Sequence, residues 1–368
     1  MPFVSGIELA RALHEEAVRP LLESAYPQLR YAAARIGAGS EVLGFDTARS
    51  ADHDWGPRLQ LFLTPEDARR HGRAITELLA ERLPRRIRGW STHYRRTGDP
   101  LNPVSHLEPA HGPVVDHRVT VHDLPGWLTT HLDPRAARWT DTAPTPTDWL
   151  ALPQQRLAEF TGGAVFHDDL GLLTATRARL AHYPDQVRRY LLASQWQRIA
   201  QEEAFVGRCA EVDDDLGAAV VTARLVRDLM RLAFLMHRCY APYSKWLGSA
   251  FARLDTDPAL APALRAALAA PDHASRERHL CEAYESAART HNSLGLTEPL
   301  DPTRRSYHSR PYQVLHADRF AQALRRTVTD PELRDLPLIG AVDQWADNTD
   351  LLGRPDIVHA AVDTLTGR

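Results

Sequence analysis

The sequence predicts an α+β protein in two parts, a small mixed-sheet α/β domain over residues 1–140 and an all-helical domain over residues 141–368. Strand-like runs at 31–36, 58–63 and 114–121 alternate with helical patterns in the first part. Residues 133–148, rich in Pro, Thr and Asp, read as a linker. Beyond Trp149 long helical periodicities dominate and strand signals nearly vanish. At 368 residues the chain is also too long for one small core, so two domains are expected from length alone.

The elements follow in order. Ile7, Leu9, Leu13, Val18, Leu21 and Leu22 recur at helical spacing and predict a helix over 6–29. Tyr31 to Ile36 reads as a buried strand running into the tight turn Gly37-Ala38-Gly39-Ser40. Arg58 to Leu63 alternates and is expected to be the next strand. Thr64-Pro65-Glu66-Asp67 combines an N-cap, a first-turn proline and first-turn acids, and starts a helix running to Leu83. Val114 to Val121 is the third strand, and Leu124 to Leu132 a helix. In the second part helices are expected over 184–206, 215–240, 244–254, 275–294 and 318–328.

Composition narrows the function classes. The hydrophobic fraction of 43% and charged fraction of 25% are those of a globular protein. A formal net charge of -3 gives no general attraction for duplex DNA. Cys209, Cys239 and Cys281 share no zinc spacing, and their odd count fits a reducing compartment. The first residues lack the charged and apolar regions of a signal peptide, and no apolar run reaches the roughly 18–20 residues that cross a bilayer. A cytoplasmic protein without a membrane partner is expected, its oligomeric state left open. Lys245 is the single lysine among 44 basic residues. A compact ammonium kept alone in so arginine-rich a chain marks a position to examine.

Chemistry concentrates in Ile36-Gly-Ala-Gly-Ser-Glu-Val-Leu-Gly-Phe-Asp-Thr-Ala-Arg-Ser-Ala-Asp-His-Asp54. The small pair Gly39-Ser40 lets backbone approach a polyphosphate, and amides in such a turn favour anions. Asp52 and Asp54 stand two apart, entering the next strand, where alternate residues share a face. Two carboxylates opposite a phosphate turn suit Mg²⁺ bridging nucleotide phosphates. An isolated Asp-x-Asp at a strand start reads as a solvated turn. Here the preceding strand, the Gly-Ser turn and the interposed Gly44, Asp46 and Ser50 favour the metal site. Asp46 and Ser50 are read as braces of the loop, and His53 as structural.

Gly39-Ser40, eleven intervening residues and Asp52-His53-Asp54 resemble the motif of the DNA polymerase beta-type nucleotidyltransferase superfamily. The local stretch is similar to that of small-molecule, antibiotic-type nucleotidyltransferases. The chain as a whole looks closer to an uncharacterised bacterial family with a C-terminal helical domain containing Tyr-Ser-Lys-Trp, as at Tyr243-Ser244-Lys245-Trp246. The resemblance implies Asp52 and Asp54 as catalytic metal ligands for Mg²⁺. It implies Gly39 and Ser40, with Ser50 in the loop, as nucleotide-binding residues, and Ser244 with Lys245 as partners of the β- and γ-phosphates. It also implies a third carboxylate on a later strand. Asp116, the acid of the third strand, ranks first; Asp123, just beyond, serves equally well as a helix N-cap. The lysine sits near a helix start, an unfavourable place for a cation unless an anion lies there.

The resulting expectation is an enzyme that moves an NMP group from an NTP, ATP first among them, to a hydroxyl or amine of a small molecule, releasing pyrophosphate. The helical domain would select the acceptor and close the cleft. The alternatives are AMP transfer to a protein or tRNA, or a degenerate nucleotide-binding sensor. Other polar clusters read as structural. Arg224, Arg227, Asp228 and Arg231 are expected to form an internal ion-pair network, Glu202 and Glu203 a solvated helix end, and His291-Asn292 a helix terminus. Asp343, Gln344, Asp347 and Asn348 make a polar helix face, and Tyr240, Tyr243 and Trp246 are read as core aromatics rather than a base-stacking platform.

Overall fold

Ser5 opens the first helix through a capping box with Glu8, and α1 (Gly6–Leu13) passes through one π-helical stretch, His14–Val18, into α2 (Arg19–Ala25). The helix stops at Tyr26, short of the expected 29, because Pro27 disfavours helical backbone in the residue before it. The computed structural model describes residues 3–52, 55–99, 102–109 and 117–367, with backbone alone for 51, 52, 95–99 and 102–109.

The chain divides into two compact units, Met1–Pro144 with Arg156–Ala181, and Thr145–Gln155 with His182–Arg368. The first contains β1 (Ala32–Arg35), β2 (Leu59–Leu63) and α3 (Pro65–Arg82). Two short hairpins follow, β3 (Arg86–Ile87) with β4 (Trp90–Ser91) and β5 (Tyr94–Asp99) with β6 (Asn102–Pro109). Then come β7 (Val119–Asp123) and α4 (Leu124–His131). After α5 (Pro146–Ala151), which belongs to the second unit, the chain re-enters the first through α6 (Gln154–Thr161), β8 (Ala164–Asp168) and α7 (Leu172–Arg179).

The sheet has the order β7-β2-β1-β8 and is mixed, as expected: β2 runs parallel to β7, while β1 is antiparallel to both β2 and β8. Leu59, Leu61 and Leu63 of β2 join Ala33 and Val119 in a core with Leu13, Val18 and Leu22 from the N-terminal helices and Ile75 and Leu79 from α3. Phe62 faces the other way, edge-on to Trp127 of α4. This period-two division is what alternating side chains impose on a strand covered on both sides.

Two expectations about organisation are corrected. The first unit does not end at 140, and the remainder is not all helical: β8 pairs with β1, Ala33 opposite His167 and Ala34 opposite Val165. Ala-Val-Phe-His-Asp is half-buried throughout, so it carries no alternation that marks a strand. Second, the strand after the Asp-x-Asp motif begins only at Leu59. Gly56, at φ +126, and Pro57, which lacks an amide, hold the chain out of the ladder.

The second unit is built on α8 (Asp185–Glu202), which packs against α10 (Asp215–Met236) and α14 (Asp318–Arg325). Around them stand α9 (Phe205–Ala210), α11 (Ser244–Phe251), α12 (Leu260–Ala269), α13 (His273–Ser293), α15 (Val342–Trp345), α16 (Thr349–Leu352) and α17 (Pro355–Thr366). A two-residue antiparallel ladder, β9 (Arg305–Ser306) with β10 (Gln313–Val314), lies among them. Trp149, Trp196, Tyr284 and Phe320 are fully buried in this unit. Among the described residues no helix is long and apolar enough to cross a membrane.

Candidate functional site

The Gly39-Ser40 turn lies where β1 ends. Gln60 extends the ladder beyond the strand, its amide nitrogen donating to Ile36 O (3.0 Å) and its oxygen accepting from Ile36 N (3.2 Å). The chain then closes a compact loop through Val42 N to Gly39 O (3.1 Å) and Phe45 N to Ser40 O (2.8 Å). Glycine is required at 39. Its φ is +150°, and a Cβ there would run into Arg35 Nη2 and lie 2.6 Å from both Arg58 Nη2 and Glu41 Oε2.

Beneath the turn is a buried ion cluster that hydropathy reading missed. Glu41 Oε1 accepts from Arg35 Nε (2.8 Å) and Arg58 Nε (2.7 Å), and Arg58 Nη2 approaches the same oxygen at 2.6 Å. Arg35 also donates to the carbonyls of Ile36 and, at 2.5 Å, Ala38, so its guanidinium clamps the start of the turn. Burial works against the Glu41 carboxylate, yet Arg35 and Arg58 outweigh it and hold its pKa below the usual value. Burial and then repulsion from Arg58 pull Arg35 down to about 10, with Glu41 opposing. Among the described residues Glu41 Oε2 is buried without a hydrogen-bond partner. The sequence signal, an arginine closing a strand and a glutamate just past a Gly-Ser pair, contains no periodicity to reveal burial.

The loop braces behave as read. Asp46 Oδ2 accepts from Gly6 N (2.7 Å) and Trp55 Nε1 (3.1 Å), tying the loop to the start of α1. Ser50 Oγ accepts from Thr47 N (3.0 Å), closing a turn. Asp52 is placed differently from expectation: it ends a 3-10 helix, Ala48–Asp52, rather than entering a strand. The alternation argument for a shared face with Asp54 therefore does not apply at this position. Asp54, His53, Asp116 and the Asp52 side chain lie outside the described residues. Among the described residues no group of three or more His, Cys, Asp or Glu is placed to hold a metal ion.

Asp123 is removed as a partner of this turn. Its carboxylate accepts from Gly126 N at 2.7 Å and caps α4. It pairs in register with Leu63, at the far end of β2 from the β1 exit, a strand length of roughly 15 Å away.

In the second unit, Ser244 and Lys245 occupy the first turn of α11, and both are exposed. Lys245 Nζ lies 5.0 Å from the ring centre of Trp246. The arginines expected to form a network along α10 instead reach other elements: Arg224 pairs with Glu202 (2.5 Å), Arg227 with Asp347 (2.7 Å), and Arg231 donates to the Asp343 carbonyl. Asp228 faces Arg198 at 3.4 Å. Glu203 is not solvated. It is buried and accepts from Leu315 N (2.8 Å) and Ala317 N (2.9 Å); burial pushes its carboxyl up to about 7 despite those amides. His291 is buried inside α13, accepting from Trp196 Nε1 at 3.2 Å, and burial lowers its pKa to about 4. Asn292 brackets Leu300 through both its amide atoms.

Residues 149–247 match the family model of a domain of unknown function, DUF4037, a stretch running from α5 into α11 that includes Ser244 and Lys245. No curated protein matches the chain. Among solved structures, the chain is similar to a nucleotidyltransferase-like protein from Exiguobacterium sibiricum 255-15, with 12% identity, 86% of this chain and 90% of that chain covered, and a TM-score of 0.31.

Proposed function

We propose that the chain is a nucleotidyltransferase that moves an NMP group from an NTP, ATP first among them, to a hydroxyl or amine of a small molecule. One observation supports this most: a glycine-dependent turn, clamped from beneath by guanidinium groups, at the exit of a strand in a mixed sheet and followed by Asp52-x-Asp54 at the spacing of the resembled motif. Backbone held open at Gly39 and Ser40 is suited to phosphate oxygens.

In the proposed reaction the acceptor oxygen or nitrogen bonds to the α-phosphorus. The bond to the bridging oxygen breaks, and pyrophosphate leaves with the electron pair. The acceptor proton passes to a base, for which Asp116 is proposed. Asp52 and Asp54 would hold Mg²⁺, which would supply positive charge at the reacting phosphate and the leaving oxygen. Gly39, Ser40 and Ser50 are proposed nucleotide contacts, with Ser244 and Lys245 as further phosphate ligands.

The test is pyrophosphate release from each labelled NTP with Mg²⁺, with and without pools of hydroxyl and amine acceptors. Wild-type activity that disappears in Asp52→Asn/Asp54→Asn supports the assignment; equal activity in both sinks it. Nucleotide binding without pyrophosphate under every acceptor pool moves the reading to a sensor. Label transferred to a protein or tRNA fraction moves it to a macromolecular acceptor.

A further inference from the structure

We propose that the second unit holds a binding site for a small aliphatic amine, in a cleft walled by α9, the start of α13 and the loop between β9 and β10. None of its residues belongs to the Gly39-Ser40 turn or to the proposed phosphate ligands, so the two readings stand or fall separately.

The cleft has a volume of about 300 Å³, at the lower end of the range for small-molecule sites. Its apolar wall is made by Val206 and Ala210 of α9, by Pro311 and by the ring of Tyr312. That ring rests directly against α9 because position 207 is a glycine. A Cβ there would stand 2.6 Å from both Cδ atoms of the ring. Tyr312 is thereby held in place and is only 4% exposed.

The polar lining accepts hydrogen bonds and has few to give. Its carboxylates are Glu211 and Glu277, and among the described residues no lysine or arginine lines the cleft. Glu211 is fixed from outside by Arg310, whose Nη1 donates to both carboxylate oxygens at 2.9 and 2.8 Å. His273 and Glu277 stand four apart on α13 and so share a helix face. His273 Nε2 lies 3.0 Å from Asp215 Oδ1, which assigns the ring proton to Nε2 and leaves Nδ1 an acceptor. Among the described residues that Nδ1 is buried without a hydrogen-bond partner, and so is Tyr312 Oη. Glu277 is half-buried and accepts from Gln313 N. Arg304, which also draws on it, pairs with Glu285 at 3.5 Å. Burial still pushes the Glu277 carboxyl above its usual value, so its ionised form is under-stabilised where it stands. A carboxylate, a bare imidazole nitrogen and a phenol oxygen are together matched by an ammonium, which brings three N–H donors and the missing positive charge. The alkyl chain behind the ammonium would cover the apolar wall.

Saturation-transfer NMR titration of the full chain with n-hexylamine tests this, with n-hexanol and hexanoate as neutral and anionic chains of matched length. Hexylamine is expected to bind on the order of 10-fold more tightly than hexanol, and hexanoate more weakly than either. Glu277→Gln keeps the side-chain shape and an oxygen for Gln313 N, and is expected to weaken hexylamine on the order of 10-fold. Ala274→Phe, at an exposed position of the lining, is expected to fill the cleft and abolish binding without disturbing the core. Asp335→Asn, an exposed acid elsewhere in the unit, should leave binding unchanged. Absence of hexylamine binding by the wild type overturns the site, as does undiminished binding in either the Glu277 or the Ala274 variant. Equal binding of hexanol and hexylamine overturns the assignment of a cationic ligand. None of these outcomes touches the pyrophosphate-release test of the nucleotidyltransferase reading.

Discussion

At the scale of single residues, Gly39 carries the most consequence. An alanine there must adopt a positive φ and place a methyl group against Arg35, Arg58 and Glu41 at once. Gly39→Ala is expected to destabilise the protein by about 2 kcal/mol or more, through backbone strain and displacement of a buried ion cluster. Ser40→Ala, at a half-buried position, should stay within about 0.5 kcal/mol. Urea unfolding midpoints of the two variants check this; similar midpoints would refute the steric argument. Gly39 and Ser40 were legible from residue type. Arg35, Glu41 and Arg58 were not, because a charged side chain ordinarily signals surface, and only packing shows two guanidinium groups closing on one buried carboxylate beneath a turn.

At the scale of elements, Glu203 shows how a helix end acquires a pH-dependent role. It follows the last turn of α8 and holds two amides of the 315–317 segment leading into α14. Its carboxyl is raised from 4.5 to about 7, so the folded chain binds this proton more tightly than the unfolded chain. The contribution is full below pH 4.5 and is lost as pH rises through about 7, a change of roughly 3 kcal/mol at most. His14 and His291 act oppositely: burial lowers each to about 4, so their contribution is full above pH 6.5 and lost as pH falls through 4. The expected measurement is therefore a comparison. Glu203→Gln should remove a stability decline between pH 4.5 and 7 that the wild type retains, and parallel profiles would contradict it. The long helices α8, α10, α13 and α14 were legible to within a few residues. The environment of Glu203 was not legible, because Leu315 and Ala317 are over a hundred positions away in sequence.

At the scale of the molecule, the first unit is assembled from two stretches of chain, and its sheet is incomplete without the second. A fragment of residues 1–140 leaves β1 as an unpaired edge and removes α6 and α7 as cover. It is expected to aggregate or lack cooperative unfolding, whereas a fragment of residues 1–181 should keep the four-stranded sheet. Circular dichroism melts of the two fragments decide this, and a cooperative transition in the shorter one would refute it.

Local rules were sufficient for much of this protein. Residue order alone determined the mixed α+β character, the Gly39-Ser40 turn, the brace at Asp46, the cap at Thr64 and the long helices of the second unit. Each depends on spacing within a few residues, where backbone sterics and periodic burial act directly. Tertiary structure decided the rest: β8 beside β1, Asp123 at the wrong end of the sheet, Glu41 between two arginines, and Arg58 beside Arg118 at the paired entrances of β2 and β7. These are consequences of strand order and direction, which pair residues distant in sequence and leave no local period to read.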